Sequence, residues 1–458
     1  MSPSSRSFRA LCVLTAALSV SACSGNEAAP EAVVAAPAAV TAPAAPAAPA
    51  ACNADAAWLT STTPPSEIGG GIPIGDETNC QFQQFAWQWF LSLVQPAAAP
   101  GERMFETYPV LLPGVPNQCA SPGPTGKAAA AKAMFVRTTK TADDSVVPVL
   151  PEDIKQAGSD EVLYDQAGNV VLYTVRYSPN EYQATSAGFQ PNTVELKTSW
   201  RVMAANDPTL SSYYTMTADV TGFPDNPQTL ALVGFHVVIN TVNHPEFVWA
   251  TFEHATNAPD CTSPEASPAA GWSFTSAAAA NCLAQPGGCS TVQFNQGATG
   301  SSLTGTPAEV CRVYPDGTDP GSPTGGNNND TNRFNIDMLN AQLVGPSGFL
   351  TQLPSDNPMS VWKNYSLVGS LWTSGGVAST EPSPGTVQRG SLELANTTME
   401  SFVQDAQTNC FSCHTYDPAS PLAVSHIADD LLPSSTASKA ATTTGASRDG
   451  AATTAPAQ

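Results

Sequence analysis

Positive charge is scarce in this chain: 458 residues carry 17 Lys and Arg against 38 Asp and Glu, a formal charge of −21. Such a surface repels nucleic acid and anionic lipid headgroups, so no nucleic-acid partner is expected, and a docking protein should be basic or neutral. A membrane-spanning run is missing at the start, where Arg6 and Arg9 precede an apolar stretch over residues 10–20 that is too short to cross a bilayer. A charged start, a short apolar core and small residues after it describe an export signal instead. No repeat and no fold fingerprint identifies the long middle of the chain. Histidine is rare as well, with five in all.

The small residues Val20, Ser21 and Ala22 before Cys23 resemble a bacterial lipobox, which implies that Cys23 is the lipid-bearing first residue of the mature chain, after a signal peptide over residues 1–22. By the same resemblance, Ser24 rather than an aspartate in the next position implies the outer membrane, on the periplasmic or surface side. Cleavage there removes two basic residues and no acid, leaving 15 against 38 and a formal charge of −23. Residues 23–52 are dominated by Ala, Pro and Val and read as a tether, while residues 433–458, rich in Ala, Thr and Ser, read as a disordered tail. Ordered structure is expected over 53–432, with a β-rich domain at 53–390 and a separate segment at 391–432.

That last segment holds "TNCFSCHTYD", in which Cys410, Cys413 and His414 form C-x-x-C-H, the pattern of covalent c-type haem attachment. Two thiols two residues apart bond the two vinyl groups of one porphyrin, and the adjacent imidazole becomes an axial iron ligand. A thioredoxin-like pair wants a βαβ context that is lacking, and a zinc site needs two more ligands where only His426 is near. Of eleven cysteines, Cys12 leaves with the signal, Cys23 takes lipid and two take haem. The remaining seven, Cys52, Cys80, Cys119, Cys261, Cys282, Cys289 and Cys311, should be largely disulfides outside the cytoplasm, with Cys52 in the tether as the odd one.

The middle reads as α+β and rich in strands. "EVLYDQAGNVVLYTVRYS" alternates on either side of Gly168 as a hairpin, and "TVELKTSWRVM" and "SVWKNYSLVGSLWT" read as strands. "CQFQQFAWQWFLSLVQP" places Phe82, Phe85, Trp89 and Leu93 on one helix face, a core stripe ended by Pro96. A second helix is predicted from Thr397 and Glu400, spaced as a capping box, with Met399, Phe402, Val403, Ala406 and Cys410 on one face, delivering the motif at its C-terminal end. In "VGFHVVINTVNHPEFVWATFEHATN" the β-branched runs predict a hairpin that sets His236 opposite Glu253, with His254 one place on. His236 and Glu253 are thus candidate acid–base groups.

The helix-borne motif resembles that of small class I cytochromes c, but no methionine follows His414 to serve as the distal ligand. His426 is the first candidate for that position, His254 or His236 from the hairpin the alternative, and Met338 or Met359 remain. Met399 should pack. "AWQWFLSL", "HPEFVWATFEH" and the C-x-x-C-H segment together resemble bacterial exported cytochrome c family proteins, in which one C-terminal haem motif follows a long non-haem region. The resemblance implies one haem c and electron transfer in the cell envelope with a redox partner protein. Some 380 ordered residues exceed what one haem needs. A haem oxidoreductase of peroxidase or oxygenase type, with its pocket in the β-rich domain, is therefore a second expectation, and a redox-partner binding module a third.

Overall fold

Thr78 opens the first helix, α1 (Asn79–Leu93), with a reciprocal cap: its hydroxyl accepts the Gln81 N–H and the Gln81 side chain accepts the Thr78 N–H. The predicted stripe of Phe82, Phe85, Trp89 and Leu93 is buried, as are Trp87 and Phe90. A computed structural model describes residues 51–432 apart from 113–117, 119–124, 127–136, 141–145, 150–160, 221–222, 224, 263, 300–301, 318–328, 381–386 and 406–408. The expected signal, lipidated Cys23, most of the tether, Cys119 and the tail lie outside the described residues.

Two minor two-stranded ladders join β1 (Arg137–Lys140) to β2 (Val146–Val149) and β3 (Glu161–Val162) to β9 (Ala298–Thr299). The main sheet has seven strands, and every pairing in it is antiparallel. Its order is β11 (Gln388–Gly390), β10 (Tyr365–Thr373), β8 (Val248–His254), β7 (Gln228–Ile239), β5 (Val194–Met203) and β4 (Leu172–Tyr177), with β6 (Thr215–Ala218) pairing the first part of β7. The hairpin around Gly168 is present: Tyr164 pairs with Val170, Gly168 takes a left-handed φ of 78°, and the Asp165 carboxylate accepts the Ala167 and Asn169 N–H groups. The expected β-rich α+β class holds at this level.

One face of the sheet is apolar. Leu196, Phe235, Val237, Ala250, Phe252 and Leu367 meet α1 and α3 (Asn329–Leu343), whose Ile336, Leu339 and Leu343 are buried at helical spacing. Phe90 stacks on Phe252 at 4.1 Å and Phe82 on Trp372 at 3.7 Å. A shorter helix, α2 (Ala277–Leu283), lies in the loop-rich stretch between β8 and α3.

The other face is mixed, with Tyr173, Val175, Lys197, Ser199, His236, Trp249 and Glu253 alternating with the core-facing residues. The described residues of 391–432 lie across it and share cores with it. Phe411, Tyr416 and Val424 pack with Val238 and Trp249, Met399 with Tyr173, and Ile427 and Leu431 of α4 (His426–Leu431) with Val175 and Tyr177. The covering chain comes close at Gly234: a Cβ there would collide with Ser199 Oγ, Thr398 Oγ1 and Asn396 Oδ1.

Three expectations are corrected here. Over 397–405 the expected helix is replaced by turns, because Asn396, Thr397 and Glu400 engage other groups. Asn396 Oδ1 takes the Thr398 N–H, Glu400 Oε2 takes the Asn396 N–H at 2.8 Å, and Thr397 gives its N–H and hydroxyl to Glu253. The β7–β8 hairpin forms two places out of the expected register, with His236 opposite Thr251 and Glu253 opposite Gly234. Its connection is closed by Asn240 donating to the Pro245 carbonyl and by Phe247 at a left-handed φ of 67°, and a slip of two keeps every side chain on its face. Cys52 is not the odd cysteine. It is buried and bonded to Cys80, and Gln342 donates to the Cys52 carbonyl. Cys261–Cys311 and Cys282–Cys289 close the loop-rich stretch as expected.

Candidate functional site

The C-x-x-C-H residues start in a 3-10 turn, Cys410–Ser412, capped at its start by Asn409 and at its end by Cys413, with His414 next. The Asn409 side-chain Oδ1 accepts the Phe411 N–H, and its Nδ2 donates to Gln388 Oε1 at 2.9 Å and the Leu392 carbonyl at 2.8 Å. Phe411 enters the core, which leaves Cys410 half-buried and Cys413 exposed on the same turn. The His414 N–H closes back onto the Cys410 carbonyl at 2.9 Å, so both thiols and the imidazole are carried by five consecutive residues of fixed shape.

The His414 ring has its own orientation device. Its Nδ1 lies 3.0 Å from the Val424 carbonyl oxygen, and since a carbonyl only accepts, Nδ1 carries the hydrogen and Nε2 keeps its lone pair. That is the tautomer a metal-ligating histidine needs, with its second nitrogen held by a backbone carbonyl. Burial, helped by His426, Lys197 and His236, holds the imidazole pKa well below the ordinary range, so it is neutral. Trp249 packs on the ring at 4.4 Å between centroids, and His426 stacks on it at 4.2 Å and 27°.

Under the turn lies a group of ionisable side chains. Lys197 of β5 pairs directly with His236 of β7, and His236 Nε2 meets Glu400 Oε1 at 3.0 Å. Burial works to raise the Glu400 carboxyl, but His236, Lys197 and the Asn396 N–H outweigh it and hold it below its usual value. Burial lowers Lys197 against the pull of Glu400 and the two thiols. Both thiols are raised, first by burial and then by Glu400, and so are protonated at neutral pH. Thiols in that state are poor nucleophiles, which argues against a dithiol–disulfide exchange centre.

No family model, curated protein or solved structure matches the chain.

The donor set itself fits a covalent haem: two protonated thiols on one turn and a neutral imidazole with Nε2 available. The other expected residues part company. Glu253 does not meet His236; it is buried, accepts from Thr397 and pairs with Arg312 at 3.2 Å, and Arg312 pairs in turn with Asp260 at 2.7 Å. Its role is to clamp the 396–400 loop. His254 is fully buried: its Nε2–H donates to the Ser212 carbonyl at 3.0 Å, its Nδ1 accepts from the Thr256 N–H and hydroxyl, and its ring stacks on Tyr213. It also stands five residues along β8 from Trp249, about 17 Å. Met359 and the helix carrying Met338 belong to the layer on the opposite face, and Met399 is core, as expected.

Sequence reasoning missed Lys197, Trp249, Asn409 and the proton-accepting Val424 carbonyl, and it took Glu400 for a helix cap. A lysine in the middle of the strand-like "TVELKTSWRVM" was the available signal, since an alternating strand that carries a charge on its covered face needs a partner there.

Proposed function

We propose that the protein is a lipid-anchored, mono-haem c-type cytochrome that transfers electrons in the bacterial cell envelope, exported by its N-terminal signal and held through Cys23. The observation that carries this reading is the attachment turn, where Cys410, Cys413 and a neutral His414 of the required tautomer lie together. Cys410 and Cys413 would hold the porphyrin by thioether bonds and His414 the iron. A bound haem supplies one-electron chemistry, while the chain orients the axial imidazole through Val424 and Trp249 and shields one side of it. The acidic surface favours a redox partner with a basic or neutral docking face.

His426, the imidazole stacked on His414, would be the second residue able to hold the iron. Stacked rings present their faces rather than their nitrogens to each other, so His426 would have to reorient to do so. Left as it is, an exchangeable position would remain, which favours a haem oxidoreductase as a second reading.

Haem staining after denaturation tests the main reading: Cys410→Ser with Cys413→Ser should abolish it, and retained stain would refute covalent attachment. The optical spectrum of the ferric protein separates the two functions. A low-spin spectrum indifferent to cyanide supports the carrier, and a high-spin spectrum that shifts with cyanide supports the oxidoreductase.

A further inference from the structure

We propose that His244, in the connection between β7 and β8, is a proton-operated clasp. Protonated, it holds the strap of residues 71–77 against the end of the main sheet, and on losing a proton it lets that strap turn out to water. The inference does not depend on the haem reading.

His244 is buried, and each of its ring nitrogens faces a carboxylate. Nδ1 lies 2.8 Å from Glu246 Oε1, and Nε2 lies 3.5 Å from Glu77 Oε1, on a side chain only 4% exposed. Nε2 and Glu77 Oε1 are both buried without a hydrogen-bond partner among the described residues. A carboxylate only accepts, so a neutral ring that gives its one hydrogen to Glu246 sets a bare lone pair against Glu77. A second proton, on Nε2, turns that confrontation into a charge-assisted contact on either side of the ring. A metal ion could also join two such atoms, but among the described residues no three His, Cys, Asp or Glu side chains converge as ligands. Burial alone would lower the His244 pKa; Glu246, Glu77 and Glu67 outweigh it and hold it above the ordinary histidine value.

The groups around the imidazole come from four elements. Its own connection supplies Glu246, and the segment before α1 supplies Glu77 and Glu67. Helix α1 presents the edge of Phe82 at 5.0 Å, and the end of β10 presents the Thr373 and Gly376 N–H groups, both given to Glu246. Tyr416 of the covering segment lies on the Glu246 side. Each ionisable group here is an acid, so the imidazolium has no neighbouring cation to oppose it.

The strap is fixed at its start, where Ile68 is buried and Glu67 accepts from Thr241 Oγ1 at 2.8 Å and the Asn243 N–H at 3.0 Å. Its far end is tied at Cys80 by the bond to Cys52. Between them Gly71 and Gly75 take left-handed φ values of 89° and 94°, and Pro73, Ile74 and Asp76 are exposed. Asn243 Nδ2 reaches the Ile72 carbonyl at 3.2 Å, and Glu77 is the strap's one buried side chain on His244. Without the Nε2 proton Glu77 is a buried charge beside a lone pair, and it gains by turning out to water with the strap.

The test is histidine ring NMR and amide hydrogen exchange on the full chain from pH 5 to about pH 9, with exchange read as protection factors to remove its chemical pH dependence. His244 has a raised pKa in the closed strap and regains about 6.5 once released. The closed strap is therefore fully favoured below about pH 6.5, and opening grows about tenfold per pH unit from there up to the closed value. Protection of the Gly75 N–H, which is given to the second Glu77 oxygen, should fall over that window while β7 and β8 amides hold constant. In Glu77→Gln the new amide donates to the neutral Nε2, so the pH dependence of the strap should vanish and the His244 ring should titrate lower by about a unit or more. A His244 ring that is neutral at about pH 5 in the parent overturns the proposal without any variant. So does strap protection that is flat with pH, or that falls equally in Glu77→Gln.

Discussion

Asn409 concentrates more of the site's geometry than any cysteine does. Its three hydrogen bonds tie the start of the attachment turn to β11 and to Leu392, and its side chain is buried. Asn409→Ala removes a cap and leaves the Gln388 oxygen and a backbone carbonyl short of a donor. A loss of about 2 kcal/mol in denaturant unfolding is expected, together with lower haem incorporation. A second residue-scale prediction concerns Glu181 and Glu195, two buried carboxyls in hydrogen-bonding contact with each other. Burial first, then each other's presence, raises Glu181, and burial pushes Glu195 up to about 7. A carboxyl raised in the folded state favours folding while protonated. Stability should therefore fall as pH rises from about 4.3, the unfolded value, through about 7. Thermal melts of Glu181→Gln, whose amide donates where a carboxylate cannot, should lose most of that slope.

At the scale of elements, the covering loop is clamped by Glu253, which takes two hydrogen bonds from Thr397 and an ion pair from Arg312. Glu253→Gln should cost about 3 kcal/mol, measured by chemical denaturation, since a buried cation and two donors lose their charge partner. A catalytic role would instead spare stability. This element also marks the limit of what the sequence made legible. The aromatic stripe of α1 and the alternation of β5, β7 and β8 report burial directly, and those elements stand where periodicity put them. The register of β7 and β8 depends on Asn240 and Phe247 within an eight-residue connection, which alternation does not encode. Over 397–405 the expected helix failed for a related reason. Apolar spacing was right, but Asn396, Thr397 and Glu400 each found a tertiary partner stronger than a helical one. Within the site, C-x-x-C-H was readable because its chemistry is local. Lys197, His236 and Glu400 come from three separate segments, and only the sheet brings them together.

On the scale of the whole molecule, the sheet divides an aromatic helical layer from a polar layer carrying the attachment turn, and the Cys52–Cys80 bond joins the entry of the chain to α1. Replacing both cysteines with serine should lower stability by about 2–4 kcal/mol, read from unfolding midpoints, while leaving haem stain unchanged. Cys23→Ala should move the protein from the membrane fraction to the soluble one.

Chain order gives the polar layer a place in time. Every strand of the main sheet precedes residue 391, and the segment with the motif packs onto a surface that those strands must first create. In the docked segment Cys410 is half-covered. If haem is joined to this turn, as proposed, attachment would compete with closure of the loop, and the Glu253 clamp would be its latch. Weakening the latch should widen the interval in which haem can be joined, so Glu253→Gln, though less stable, should not be poorer in haem per folded molecule.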